Sequence, residues 1–147
     1  MASHARWEKS QRAFCFLSVN FWDNLHLARG DVLARLGRPA DAEIEFRSEI
    51  THYPSSPLAY SSLVMLLATE HKLDEATKVV YELVKASPKP HSYVVISETL
   101  KAIGDDRGAQ YWAYQGLQKF PEDAELRRLP ERLREATGLL RKAAGTN

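Results

Sequence analysis

A recurrence at long range constrains this sequence more than any other feature. Leu67, His71, Ala76, Val80, Val84 and Pro88 have counterparts 34 residues earlier at Leu33, Gly37, Ala42, Phe46, Ile50 and Pro54, and 33 residues later at Leu100, Gly104, Ala109, Ala113, Leu117 and Pro121. Each period holds two stretches with apolar residues at helical spacing, so one period reads as a helical hairpin that cannot bury its apolar faces alone. Such units gain stability by stacking on their neighbours. The expected fold is therefore all-α: three helical pairs with an extra helix at each end, and no strand. The β-branched stretches VVYELV and YVVIS favour strand by local propensity. They occupy the registers that Phe46 and Leu33 hold in the first period, and phase outweighs that weak preference.

Local signals place the helix ends. Asp23 stands where an N-cap would, and Leu25, Leu33 and Leu36 lead to Gly37, whose access to positive φ suits a helix end. Pro39 restarts the chain in a first helical turn, where its missing N–H sacrifices nothing, and Ala42, Phe46 and Ile50 mark the buried side of the helix that follows. Ser56 and Pro57 repeat the start signal, the turn comes at His71 and Lys72, and Asp74 is expected to cap the partner helix. The third pair is expected over Pro90 to Ile103 and Asp105 to Phe120, around Gly104. Its second helix carries little bulk at Ala113 and Gly116, while Tyr111, Trp112 and Tyr114 add aromatic volume on adjoining faces, so the next element must approach closely beside Gly116.

The pattern resembles the tetratricopeptide repeat family over roughly residues 23 to 123. That family asks for a small residue in the first helix, an alanine twelve residues on, a large apolar residue four later and proline eight after that. Gly30, Ala42, Phe46 and Pro54 match in full; Val64, Ala76, Val80 and Pro88 lose the small residue; Ser97, Ala109, Ala113 and Pro121 lose the large one. The resemblance implies a right-handed superhelical array of helical hairpins, an α-solenoid, with repeats at 23–56, 57–89 and 90–123. The stretch LGRPADAEIEFRSEITHYP also looks like repeats at the C-terminal end of some bacterial exported hydrolases of the sulfatase and alkaline phosphatase kind.

The ends fall outside the repeat. In residues 1–22, Trp7, Phe14 and Phe21 recur seven apart with Leu17 between the last two, one face of an amphipathic helix expected to cap the first repeat. Arg6, Lys9 and Arg12 before AFCFLSV loosely imitate a secretory signal, but Asn20, Phe21, Trp22 and Asp23 replace the small cleavage-site residues, so the run is read as mature chain. In residues 124–147, Leu126, Leu129, Leu133, Ala136 and Leu140 form one apolar stripe on a capping helix, which Pro130 should kink or split in two, before a frayed tail. Its arginines alternate with Glu125, Glu131 and Glu135, the pattern of a solvated face rather than of an RNA-binding or membrane-surface helix.

Composition excludes several functions. A net charge of +1 provides no field to gather nucleic acid or anionic membrane, and no apolar run approaches the roughly 20 residues of a membrane span. The single cysteine, Cys15, precludes an intrachain disulfide. The five histidines never fall at helical metal-ligand spacing with a carboxylate, and no phosphate loop, dinucleotide fingerprint or nucleophile elbow occurs. No catalytic residue, metal or cofactor is expected, since helical arrays lack the closed, water-excluding pocket of an enzyme.

In the resembling family the first helices of successive repeats line a concave groove that holds a peptide or a partner helix. The matching inward slots here are Asn24, Leu27, Asp31 and Arg35, then Leu58, Ser61, Met65 and Thr69, then His91, Val94, Glu98 and Lys101. Leu27, Leu58, Met65 and Val94 are expected to bury apolar anchors, with Asp31, Arg35, Glu98 and Lys101 at the rim. Some members clamp a C-terminal carboxylate with Lys, Asn and Arg; those slots hold Leu27, Asp31, Ser62, His91 and Val95, which disfavours that ligand. The expected function is a non-catalytic protein-interaction module in the cytoplasm, with the periplasm as the alternative compartment. The alternative functions are the accessory segment of an exported hydrolase and a structural protomer that forms a homo-oligomer.

Overall fold

The computed structural model describes residues 25–144, with side chains described as far as Glu135. The helix expected over residues 1–22, the cap at Asp23, the groove position Asn24, and the tail from Gly145 lie outside the described residues. So do the side chains of Ala136 and Leu140. Seven helices follow one another: α1 (Leu25–Arg35), α2 (Pro39–His52), α3 (Pro57–Thr69), α4 (Leu73–Ala86), α5 (Pro90–Ala102), α6 (Asp106–Lys119) and α7 (Ala124–Ala144). Among the described residues there is no strand, and VVYELV and YVVIS are helical.

Helix ends recur at the spacing of the apolar registers. Pro39, Pro57 and Pro90 each open a helix at its first turn. α1, α3 and α5 end in the same left-handed turn, with φ of 70° at Gly37, 61° at His71 and 87° at Gly104. In each, the N–H of that residue bonds the carbonyl three back and the next N–H bonds the carbonyl five back: Gly37 to Ala34 and Arg38 to Leu33, His71 to Ala68 and Lys72 to Leu67, Gly104 to Lys101 and Asp105 to Leu100. These are Schellman closures, which satisfy carbonyls that would otherwise be orphaned. His71 alone makes the turn with a Cβ. Left-handed backbone costs such a residue about 1–2 kcal/mol, partly offset by the backbone entropy that glycine would lose on folding. His71→Gly should therefore raise stability by up to about 1 kcal/mol, seen as a higher urea midpoint; a lower midpoint would mean that the imidazole stabilises the turn.

Two expected ends differ. Asp74 does not cap α4: the helix starts two residues earlier than such a cap implies, at Leu73 with Lys72 at the N-cap, so Asp74 and Glu75 lie in the first turn. Their charges face the positive end of the helix dipole instead of bonding its first N–H groups. Asp105 does cap α6, its Oδ1 accepting from the Gly108 N–H at 2.9 Å. Pro130 does not split the last segment, since α7 runs unbroken through it. Proline removes one backbone donor, but Leu126, Leu129 and Leu133 anchor the helix on both sides of it at 0%, 0% and 4% exposure.

Helices pack in order. Each pair closes on itself (α1 on α2, α3 on α4, α5 on α6), α2, α4 and α6 pack on the helix that follows, and α1, α3 and α5 pack on the first helix of the next pair, α7 serving as the last. The contacts within pairs explain the small residues. Ala42, Ala76 and Ala109 are buried, and a Cβ on Gly30 would lie 2.7 Å from Cδ1 of the Phe46 ring. Ala76→Leu should overpack the α3–α4 contact and lower the unfolding free energy by about 1–3 kcal/mol, whereas Lys78→Leu, at an exposed site on the same helix, should leave the urea midpoint nearly unchanged.

One buried slot holds a carboxyl group. Glu49 is in register with Leu83 and Gly116, and all three are buried, yet Glu49 Oε2 has no hydrogen-bond partner among the described residues. An unsatisfied buried polar atom costs about 1–3 kcal/mol. Glu49→Leu, which places in the first pair the residue of the second, is expected to raise the unfolding free energy by about that amount, and an unchanged urea midpoint would show that the carboxylate is solvated in solution.

Candidate binding groove

α1 and α3 lie side by side, and between them opens a concavity of ≈ 330 Å³ lined by Asp31, Ala34, Arg35, Phe46, Ser62, Met65, Leu66 and Thr69. Two side chains build its floor: the Phe46 ring reaches through from α2 because Gly30 leaves room for it, and Leu66 lines it from α3. Met65 stands over that floor at 46% exposure. Asp31 and Arg35 are exposed one helical turn apart on α1, and neither is ion-paired among the described residues. Thr69 spends its hydroxyl on its own helix, donating to the Leu66 carbonyl at 2.6 Å. The arrangement is an apolar saddle with one anionic and one cationic group at its edge.

The expected groove residues divide into three groups. Asp31, Arg35, Met65 and Thr69 converge on this concavity. Leu58 is exposed at the start of α3, and His91 is exposed at the start of α5 with Nδ1 3.8 Å from Glu125 Oε2 of α7. The remainder are engaged within the chain. Leu27 and Val94, expected to bury a partner's apolar anchors, are core residues at 6% and 1% exposure. Leu27 lies on α1, which packs on α2 and α3, and Val94 on α5, which packs on α3, α6 and α7; both belong to the one core that also holds Leu126 and Leu129. Ser61 shares a 2.8 Å hydrogen bond with the Thr99 hydroxyl, Glu98 is ion-paired with Arg132, and the largely buried Lys101 bonds Asp106 at 2.6 Å. The accessible groove is thus narrower than the slots predict and is centred on α1 and α3, because α7 engages the α5 side.

Ala34, Phe46, Ser62 and Leu66 line the concavity without belonging to the predicted set. Ser62 carried a signal, since it occupies a carboxylate-clamp slot of the resembling family; Phe46 and Leu66 read only as core from their registers. Elsewhere, the His26 and His52 rings stack at 5.4 Å, with His26 Nδ1 2.7 Å from Glu45 Oε2 and Arg29 completing the pair at 3.3 Å. His52 is exposed. Among the described residues no three His, Cys, Asp or Glu side chains are grouped so as to hold a metal ion, and no helix is long and apolar enough to cross a membrane. Tyr60 ties the start of α3 to the turn before it. Its hydroxyl donates to the Pro54 carbonyl at 3.1 Å, and burial, assisted by the Glu82 charge, raises its pKa so that the phenol keeps its proton.

No protein-family model matches the chain, and no curated protein matches it either.

Proposed function

We propose that the chain is a tetratricopeptide-type array of three repeats, a right-handed α-solenoid closed by α7, and that it acts without catalysis as a protein-interaction module whose α1–α3 groove holds an apolar peptide or partner helix. The convergence of Asp31, Arg35, Met65 and Thr69 on one concavity carries the reading, because these inward slots come from two successive units of the sequence pattern. Two further observations support the array. Helix starts and Schellman turns repeat with the sequence period, and first helices pack on first helices. An amphipathic partner would lay one or two apolar side chains against Met65 and Leu66 and meet Asp31 and Arg35 with opposite charges at its flanks, the helix-in-groove mode of recognition.

Affinity capture from the native source tests this reading, with wild-type chain in one arm and Met65→Glu in the other. A protein retained by the first and lost from the second, with both chains equally folded, is the expected outcome. Equal retention by both would place the interaction on another face, of which the exposed aromatic surface of Tyr81 and Tyr111 beside Trp112 is the next to examine.

A further inference from the structure

α7 holds the place of a first helix but has no second helix beside it among the described residues. Its Leu126, Leu129 and Leu133 are 0%, 0% and 4% exposed, and Tyr93, Ile96 and Leu100 of α5, 33 residues earlier, are 3%, 3% and 8% exposed. α5 ends at Ala102, and the chain turns at Gly104 into α6, which packs back on α5. α7 stays helical through the corresponding positions to Ala144, and the described elements that pack substantially on it are α5 and α6. Where a returning helix would lie, α6 and α7 leave a cleft of ≈ 290 Å³, lined by Ala113, Tyr114 and Leu117 of α6 and by Pro130, Leu133 and Arg134 of α7.

One period earlier the same registers are Val80, Tyr81 and Val84 of α4 and Ser97, Leu100 and Lys101 of α5, and they have an occupant. It is α6. Asp106 in its first turn bonds Lys101 at 2.6 Å, Trp112 meets the Tyr81 ring edge-on at 5.1 Å, and Ala109 midway between them is fully buried. The residues that correspond to Lys101 and Tyr81 are Arg134 and Tyr114, both exposed; Arg134 has no ion pair among the described residues, its Nε donating to the Pro130 carbonyl at 3.3 Å. We propose that this cleft docks a helix of another protein that carries a carboxylate in its first turn, a small residue three positions on and an aromatic residue three beyond that. Arg134 takes the carboxylate as Lys101 takes Asp106, in a pair whose lysine side chain is only 11% exposed, and Tyr114 takes the aromatic ring edge-on. The docking is independent of the groove reading, since the two concavities share no residue.

The chain's own sequence supplies the probe. A helix-stapled peptide copying residues 105–119 carries the pattern in Asp106, Ala109 and Trp112, and fluorescence anisotropy should show it binding the full-length chain saturably at micromolar concentration. Arg134→Glu in the chain should weaken binding at least about tenfold, because it sets two like charges against each other, and Asp106→Lys in the peptide should restore the affinity for that variant to within about threefold. Trp112→Ala in the peptide should also weaken binding at least about tenfold. Circular dichroism establishes that the Arg134→Glu chain is folded. Absence of saturable binding, an affinity that Arg134→Glu leaves unchanged, or a charge exchange that restores nothing would overturn the proposal. Loss of peptide binding on Met65→Glu would place the peptide in the α1–α3 groove and overturn it too, as would a wild-type chain that sediments as a dimer and becomes monomeric on Arg134→Glu, which would assign the cleft to a second copy.

Discussion

Met65→Glu is expected to weaken partner binding at least about a hundredfold, or about 2.7 kcal/mol, while the urea midpoint of the free chain moves little. Both halves of that expectation come from where the side chain sits. At 46% exposure Met65 is not needed to fill the core, and a glutamate there can keep its carboxylate in water when the groove is empty. When a partner seals the groove, the carboxylate is trapped over Phe46 and Leu66 with Asp31 on the same rim. A desolvated charge beside a like charge costs several kcal/mol. Methionine in that position does the opposite, since its unbranched thioether adapts to irregular apolar shapes, and central anchors dominate interface energies. Isothermal titration against the captured partner measures the first half and urea titration the second. A variant that unfolds would show that Met65 is a core residue in solution.

Gly116→Val should lower the unfolding free energy by about 3 kcal/mol. A Cβ at Gly116 would lie 2.8 Å from Cβ of Tyr93 and 2.9 Å from Cδ2 of Leu126. Neither neighbour can retreat: Tyr93 is wedged between Trp112 and Phe120, at ring separations of 6.2 and 6.0 Å, and Leu126 is fully buried. The better helix propensity of a residue with a side chain recovers less than about 1 kcal/mol of that cost. The strain falls where α5, α6 and α7 meet, so α7 should loosen first. Hydrogen exchange should accelerate over α7 well before it does over α1 and α2, and a uniform acceleration would show that α7 is not a separately yielding element.

Which features were legible in the sequence follows from how local their causes are. Pro39, Pro57 and Pro90 open helices, and Gly37 and Gly104 close them, because these residues act through their own backbone geometry. The close approach at Gly116 was readable because a missing side chain in a buried register implies a neighbour in its place. The Asp74 cap failed by two residues: Lys72 holds the N-cap and Leu73 opens the helix, so Asp74 falls at the second helical position and makes no cap hydrogen bond. Leu27 and Val94 were legible as slots but not as buried, since burial depends on how the neighbouring helices close over them and no residue at either position encodes that approach. Glu49 could have been found by extending the register of Leu83 and Gly116 one period back, which places a carboxylate in a core slot.

The in-order packing of these helices also governs how the chain reaches its fold. Among the described residues, substantial contacts join only helices adjacent in sequence or one apart, α5 with α7 being the last of them. Little loop-closure entropy then opposes any step, and chains of such low contact order fold on microsecond to millisecond timescales. Folding has no need to wait for a distant partner strand or for the C-terminus. The first two pairs can assemble while later ones are still leaving the ribosome, so the groove between α1 and α3 is complete before α7 has been synthesised.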